Sequence, residues 1–176
     1  MPAMMAVAQA MAIQIAKAIG ATVAVTAGSA EKLEVCKSYG ADILINYKEQ
    51  DFAQELKNQC NVILDIVGGP YLKKNMFALA KGGRMITIGL QGGNKAEINM
   101  GVMMMKDISL HGTTLRRRSP EVKAEIVRQT VKNVWPMLED GRVKHHIHET
   151  LPLADAAKAL NHLVESSHTG KVVLVQ

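Results

Sequence analysis

The sequence predicts an α/β fold built on a mostly parallel sheet of about five strands, with helices on both faces. Two observations carry this. Short β-rich runs alternate with segments of helical periodicity along the whole chain. One run, Asn61-Val-Ile-Leu-Asp-Ile-Val67, reads as a continuous apolar strand of the kind covered on both faces.

Met1 to Ala16 carries no charge, and its apolar pattern runs on through Ile15 and Ile19 as a helix ending at Gly20. The uncharged stretch is shorter than a membrane span, and no Lys or Arg precedes it as in a secretory signal. A buried helix of a cytoplasmic protein is therefore expected. Thr22–Thr26 is the next strand, closed by Ala27-Gly28-Ser29. Ala30–Tyr39 is helical, with Leu33, Val35 and Cys36 inward and Gly40 at its end. A strand over Asp42–Asn46 and a short helix over Gln50–Lys57 lead into the apolar run. Gly68-Gly69-Pro70 breaks that run before a helix over Tyr71–Ala80. Lys81-Gly82-Gly83 is a turn, Arg84–Gly89 a strand and Asp107–Thr113 another. Ser119 caps a helix opened by Pro120, which is expected to run to about Glu139 and stop at Gly141. A helix over Leu153–Glu165 and a strand over Lys171–Val175 end the chain, the last strand lying apart from the main sheet.

Of the 176 residues, 48% are hydrophobic and 21% charged, which excludes intrinsic disorder. Aromatics are only 3%, so Met, Ile, Leu, Val and Ala must build the core. Cys36 and Cys60 cannot form a disulfide framework and read as buried thiols. The net charge is +5, but the basic residues are dispersed except for Arg116-Arg117-Arg118, without interleaved aromatics. That pattern argues against nucleic acid, and a phosphate-bearing small molecule explains the charge as well. His145-His146-x-His148 lacks an accompanying carboxylate or Cys motif and reads as exposed strand or loop. Met103-Met104-Met105 reads as core or subunit packing.

In an open parallel sheet the ligand lies beyond the carboxyl ends of the strands. There this chain places Ala27-Gly28-Ser29 with Lys32, Tyr47-Lys48, Val67-Gly68-Gly69, Gly89-Leu90 and Thr113 to Arg116. Glycines at such ends let a ligand approach the backbone. After Thr22–Thr26 an NAD site carries Asp or Glu for the ribose 2′-hydroxyl. Ser29 and Lys32 stand there without a carboxylate at the strand end, a set suited to a 2′-phosphate. Ser29 also suits a helix cap, and the two roles can coexist.

The runs Ala12 to Val23, Val25 to Lys32, Tyr39-Gly-Ala-Asp42, Ile45-Asn-Tyr-Lys48 and Leu64 to Gly69 resemble the zinc-free quinone oxidoreductases of the medium-chain dehydrogenase/reductase superfamily. Gly112-Thr-Thr-Leu-Arg116, Val134 to Glu139, Leu151 to Ala157 and Gly170 to Leu174 continue in the family's order. The resemblance implies a Rossmann-like, doubly wound nucleotide-binding domain over residues 1–142. It implies a segment over 143–176 that in the family returns to the catalytic domain. It further implies NADPH as cofactor and hydride transfer to a quinone or related α,β-unsaturated carbonyl. Ser29, Lys32 and Tyr47 match positions that hold the 2′-phosphate, Val67 and Gly68 the loop beside adenine and ribose, Gly89 and Leu90 the turn near the nicotinamide. Arg116 lies in a stretch bordering the cofactor, and Asp107–Thr113 matches a strand through which family members form homodimers. No side chain reads as an acid–base catalyst.

Two departures from the family stand out. Its phosphate loop, Gly-x-Gly-x-x-Ala, would end at Ala12 and place glycines where Val7 and Gln9 stand. The family's first strand and N-terminal catalytic domain have no counterpart, which leaves the neighbours of that strand without a shared partner. The alternative function is thus a non-catalytic remnant acting as a dimerisation or binding module. A different Rossmann-like enzyme, such as a methyltransferase, is disfavoured by the set at Ser29 and Lys32.

Overall fold

The computed structural model describes residues 5–165 and 170–176. They divide into two compact units, Met1–Asn46 with Glu125–Gln176, and Tyr47–Ala124. The fold is α/β, and every strand pair is parallel.

The first unit opens with helix α1 (Met5–Ala18), which ends where Gly20 takes φ +82°. Strand β1 (Ala24–Ala27), helix α2 (Ala30–Ser38) and strand β2 (Ile43–Asn46) follow. β1 and β2 pair in register Val25 to Leu44. Ile13 of α1, Val25 and Ala27 of β1, and Leu33 and Cys36 of α2 close a core with Ala41. The side chain of buried Gln14 binds the backbone of Lys144 at both ends, Nε2 donating to its carbonyl (3.1 Å) and Oε1 accepting from its N–H (2.8 Å).

The second unit holds α3 (Phe52–Glu55), β3 (Cys60–Asp65), a 3-10 turn at Gly69–Tyr71, α4 (Leu72–Ala78), β4 (Leu79–Thr87), α5 (Met100–Lys106) and β5 (Ser109–Gly112). Its sheet has the order β3-β4-β5. Ile63, Met85 and Leu110 are neighbours across it. They face Leu72 and Met76 of α4 and Val102 and Met103 of α5. Lys106 ties the two helices together by donating to the carbonyls of Met76 (2.8 Å) and Phe77 (3.1 Å) at the end of α4.

Helix α6 (Pro120–Asn133) leads back to the first unit, where α7 (Trp135–Glu139), β6 (Ile147–Pro152), α8 (Ala156–Glu165) and β7 (Lys171–Val175) complete the chain. β6 and β7 form their own two-stranded sheet, so the last strand does lie apart from the others.

The structure corrects several expectations. Instead of one sheet of five strands, β1–β2 and β3–β4–β5 are separate sheets among the described residues. The apolar run is not covered on both faces: Val62 is 51% and Leu64 47% exposed. Strand alternation turns Ile63 and Asp65 inward, while α4 and α5 cover only that face of this unit. The helix expected to reach Glu139 breaks near Val134, because Pro136 cannot donate a helical hydrogen bond. Lys81–Gly83 is absorbed into β4, although Gly82 keeps φ +74° and the register with β3 slips nearby. The histidine segment, by contrast, is as expected: His145 is exposed loop and His148 exposed strand, in β6, which pairs with β7. Of the methionine run, Met103 packs inward, whereas Met104 and Met105 are exposed. Among the described residues no helix is long and apolar enough to cross a membrane.

Candidate functional site

At the end of β1 the chain turns through Gly28 into α2. Ser29 is the helix cap, with extended backbone, and its Oγ accepts from the Lys32 N–H at 3.4 Å. That bond uses the oxygen as acceptor and leaves the hydroxyl hydrogen to donate. With the helix N-terminus and the Lys32 ammonium, this is a donor set for a phosphate. Glu31 lies in the same first helical turn and opposes an anion there.

In the second unit the turn after β3 is organised by buried Asp65. Its carboxylate accepts from the N–H groups of Val67 (3.1 Å) and Gly68 (3.0 Å) and from the Thr87 hydroxyl (3.4 Å). The turn after β4 then docks on it: Gln91 N–H donates to Ile66 O (3.1 Å), Gly92 N–H to Val67 O (2.8 Å) and Gly69 N–H to Gly93 O (2.9 Å). The glycines expected to admit a ligand are here approached by the protein itself. Gly68 has φ +85°, and a Cβ on it would meet Gly93 O at 2.6 Å. A Cβ on Gly69 would overlap the Lys95 carbonyl. On Gly89 it would meet Ile66 O at 3.0 Å.

Beyond these turns an open cleft of about 660 Å³ lies at the carboxyl ends of β4 and β5. It is lined by residues 87–90, residues 112–114, and Arg117 with Arg118. Gly89 and Leu90 are thus brought to one site. Val67 and Gly68 are tied into the turn beside it. Arg116 is not in the lining; its carbonyl accepts from Lys123 Nζ at 3.3 Å. Arg117 and Arg118 are the cleft residues that the sequence reading missed. The signal was the basic triplet itself, whose cleft-facing members depend on the turn after β5. Tyr47 lies within electrostatic reach of Tyr71, whose phenol is pushed up by burial, with Tyr47 and Asp65 adding to the effect. Burial also pushes up the Cys36 and Cys60 thiols, so neither is poised as a thiolate.

A nicotinamide dinucleotide needs three things: a phosphate set at the adenosine end, a close-approach turn for the pyrophosphate, and a walled site for the ring. Ser29 with Lys32 fits the first. The cleft fits the third, with apolar Ile88 and Leu90 beside glycine backbone. The second does not fit: residues 5–18 form one unbroken helix across Val7 and Gln9.

Residues 10–138 match the zinc-binding dehydrogenase family. The chain belongs to that family, as the C-terminal nucleotide-binding part of the medium-chain dehydrogenase/reductase superfamily. The quinone oxidoreductase of Mus musculus is 31% identical over 170 residues, 92% of this chain and 50% of its own. The crystal structure of Escherichia coli quinone oxidoreductase complexed with NADPH superposes with a TM-score of 0.76 at 25% identity, over 95% of this chain and 53% of that one. An NAD-dependent alcohol dehydrogenase does so with a TM-score of 0.73 at 30% identity, over 95% and 47%. These relatives share the Rossmann-like fold, and the chain spans about half the length of the curated relatives it matches.

Proposed function

We propose that this chain is the nucleotide-binding portion of a cytoplasmic, zinc-free, NADPH-dependent quinone oxidoreductase acting on a quinone or related α,β-unsaturated carbonyl. The observation that carries it is the end of β1, where a capping serine and Lys32 stand without a carboxylate at the strand end. NADPH bound there supplies the hydride. Ser29, Lys32 and Tyr47 hold the 2′-phosphate, Val67 and Gly68 border adenine and ribose, and Arg116 borders the cofactor. Gly89 backbone and Leu90 wall the nicotinamide. These residues act by positioning rather than by proton transfer.

Titration with NADPH and NADH tests this. Lys32→Ala is expected to remove about 1.5–3 kcal/mol of NADPH binding and almost none of NADH binding. Equal losses for both would remove Lys32 from the 2′-phosphate site. The unbroken helix over residues 5–18 favours a second reading, a non-catalytic dimerisation or binding module. No NADPH binding at millimolar cofactor would count against the enzyme reading and leave this one standing. In either case we infer a homodimer through β5, the edge of its sheet, beside exposed Met104 and Met105. Light scattering at micromolar concentration should give twice the chain mass; a monomer would refute the pairing.

A further inference from the structure

Arg117 and Arg118 line the cleft but have no part in the reading above. Arg118 Nη2 donates to Thr113 Oγ1 at 3.0 Å. As the acceptor, Thr113 keeps its own hydroxyl hydrogen to give to something else. Among the described residues no carboxylate lines the cleft, and none pairs with Arg117 or Arg118. Arg128 and Arg142, by contrast, each pair with an acid on their own surface, Glu125 and Asp140. Arg117 and Arg118 bring two positive charges to the lining of one cleft with no counter-charge there, and an anion bound in it offsets that excess. The guanidinium fork matches the paired oxygens of phosphate, sulfonate or carboxylate. Ile88 and Leu90, 42% and 57% exposed, give the same cleft an apolar edge against which the rest of a ligand can lie. A volume of about 660 Å³ is ample for a small-molecule ligand.

We propose that this cleft is an anion site: Arg117 and Arg118, with the hydroxyls of Thr113 and Thr114, hold the acidic group of a small-molecule ligand. The group comes either from a dinucleotide's pyrophosphate or from an acidic electron acceptor. The site exists whether or not Ser29 and Lys32 bind a 2′-phosphate, so its failure and theirs are separable.

Calorimetric titration of the whole chain with inorganic pyrophosphate at low salt tests it. Saturable binding is expected, weakened at least tenfold in the Arg117→Ala/Arg118→Ala variant and unchanged in Arg128→Ala. The Arg117→Lys/Arg118→Lys variant should recover part of the affinity, which separates loss of charge from loss of fold. Displacement by NADP⁺ would assign the anion to the dinucleotide. Displacement by 1,2-naphthoquinone-4-sulfonate, but not by neutral 1,4-naphthoquinone, would assign it to the acceptor. Absent saturable binding, an equal loss in Arg128→Ala, or displacement by neither NADP⁺ nor the sulfonate would overturn the proposal.

Discussion

In the turns after β3 and β4, glycine is used for contact between loops of the protein itself. Gly68 and Gly69 meet the backbone of residues 93–95, Gly89 meets Ile66, and Asp65 binds the whole turn from beneath. At residues 5–18, where the family places a glycine turn for pyrophosphate, the chain has Val7 and Gln9 and forms fourteen residues of helix. One region keeps the glycines because its own loops leave no room for a Cβ. The other forms the helix that its Ala- and Met-rich composition prefers. Glycine in a strand-end turn is thus evidence of close approach, but the approaching group can be backbone as readily as ligand.

The largest test of this contrast is Gly68→Ala set against Gly82→Ala. Both positions have positive φ, which alanine rarely adopts. Gly68, with φ +85° and ψ −136°, lies outside even the left-handed helical region that alanine tolerates at about 1–2 kcal/mol, so its backbone cost is the larger. Only at Gly68 does the new Cβ also strike backbone, adding roughly 1–3 kcal/mol of overpacking; at Gly82 nothing lies within 4 Å. Urea unfolding should therefore show the greater loss at Gly68. Equal losses would mean that the two turns do not interlock.

A smaller effect is expected from Val7→Gly/Gln9→Gly. Glycine in a helix interior costs about 0.5–1 kcal/mol per site, so the thermal midpoint of the free chain should fall. If the glycines also reopen a pyrophosphate turn, NADPH should bind more tightly and raise the midpoint further than it does for the parent chain. Turnover should improve less than binding. Unchanged NADPH affinity would show that the helix, and not the missing glycines, sets the limit.

Local chemistry was the legible part of this sequence. Ser29 was readable as a cap because a serine before Ala30-Glu31-Lys32 has an N–H three residues ahead to satisfy, and the structure makes that bond. Strand positions followed from runs such as Ile43–Asn46 and Lys171–Val175. Strand β6 was missed because His148 and Glu149 interrupt its short apolar pattern, and only pairing with β7 defines it. The exposure of Val62 and Leu64 was missed because an apolar run records what a strand could bury, not which neighbours cover it. In the basic triplet, Arg116 was chosen by motif order alone. Which arginines reach the cleft is decided by the turn at residues 113–118, where Arg118 folds back onto Thr113.

The smallest expected effect concerns the surface of the first unit. Lys17 Nζ lies 2.8 Å from Asp42 Oδ1, and the Val23 N–H donates to Asp42 Oδ2 at 2.7 Å. The Lys17 hydrogen bond, then the Val23 N–H, holds the Asp42 carboxyl below its usual range. A carboxyl depressed in the folded state adds stability above its unfolded pKa, near 3.9. That stability is lost as pH falls through the lower folded value. Asp51, held down by Lys74, and Asp140, held down by Arg142, titrate in the same direction. The acid limb of the stability curve therefore has several sources. Asp42→Asn should lower stability at neutral pH and flatten, but not abolish, the loss as pH falls below the unfolded value, near 3.9, and on through the lowered folded one. The pair is half-exposed, so added salt should shrink the difference between the two proteins. A variant that tracks the parent chain at every pH would show that Asp42 contributes nothing to holding α1 against the start of β2.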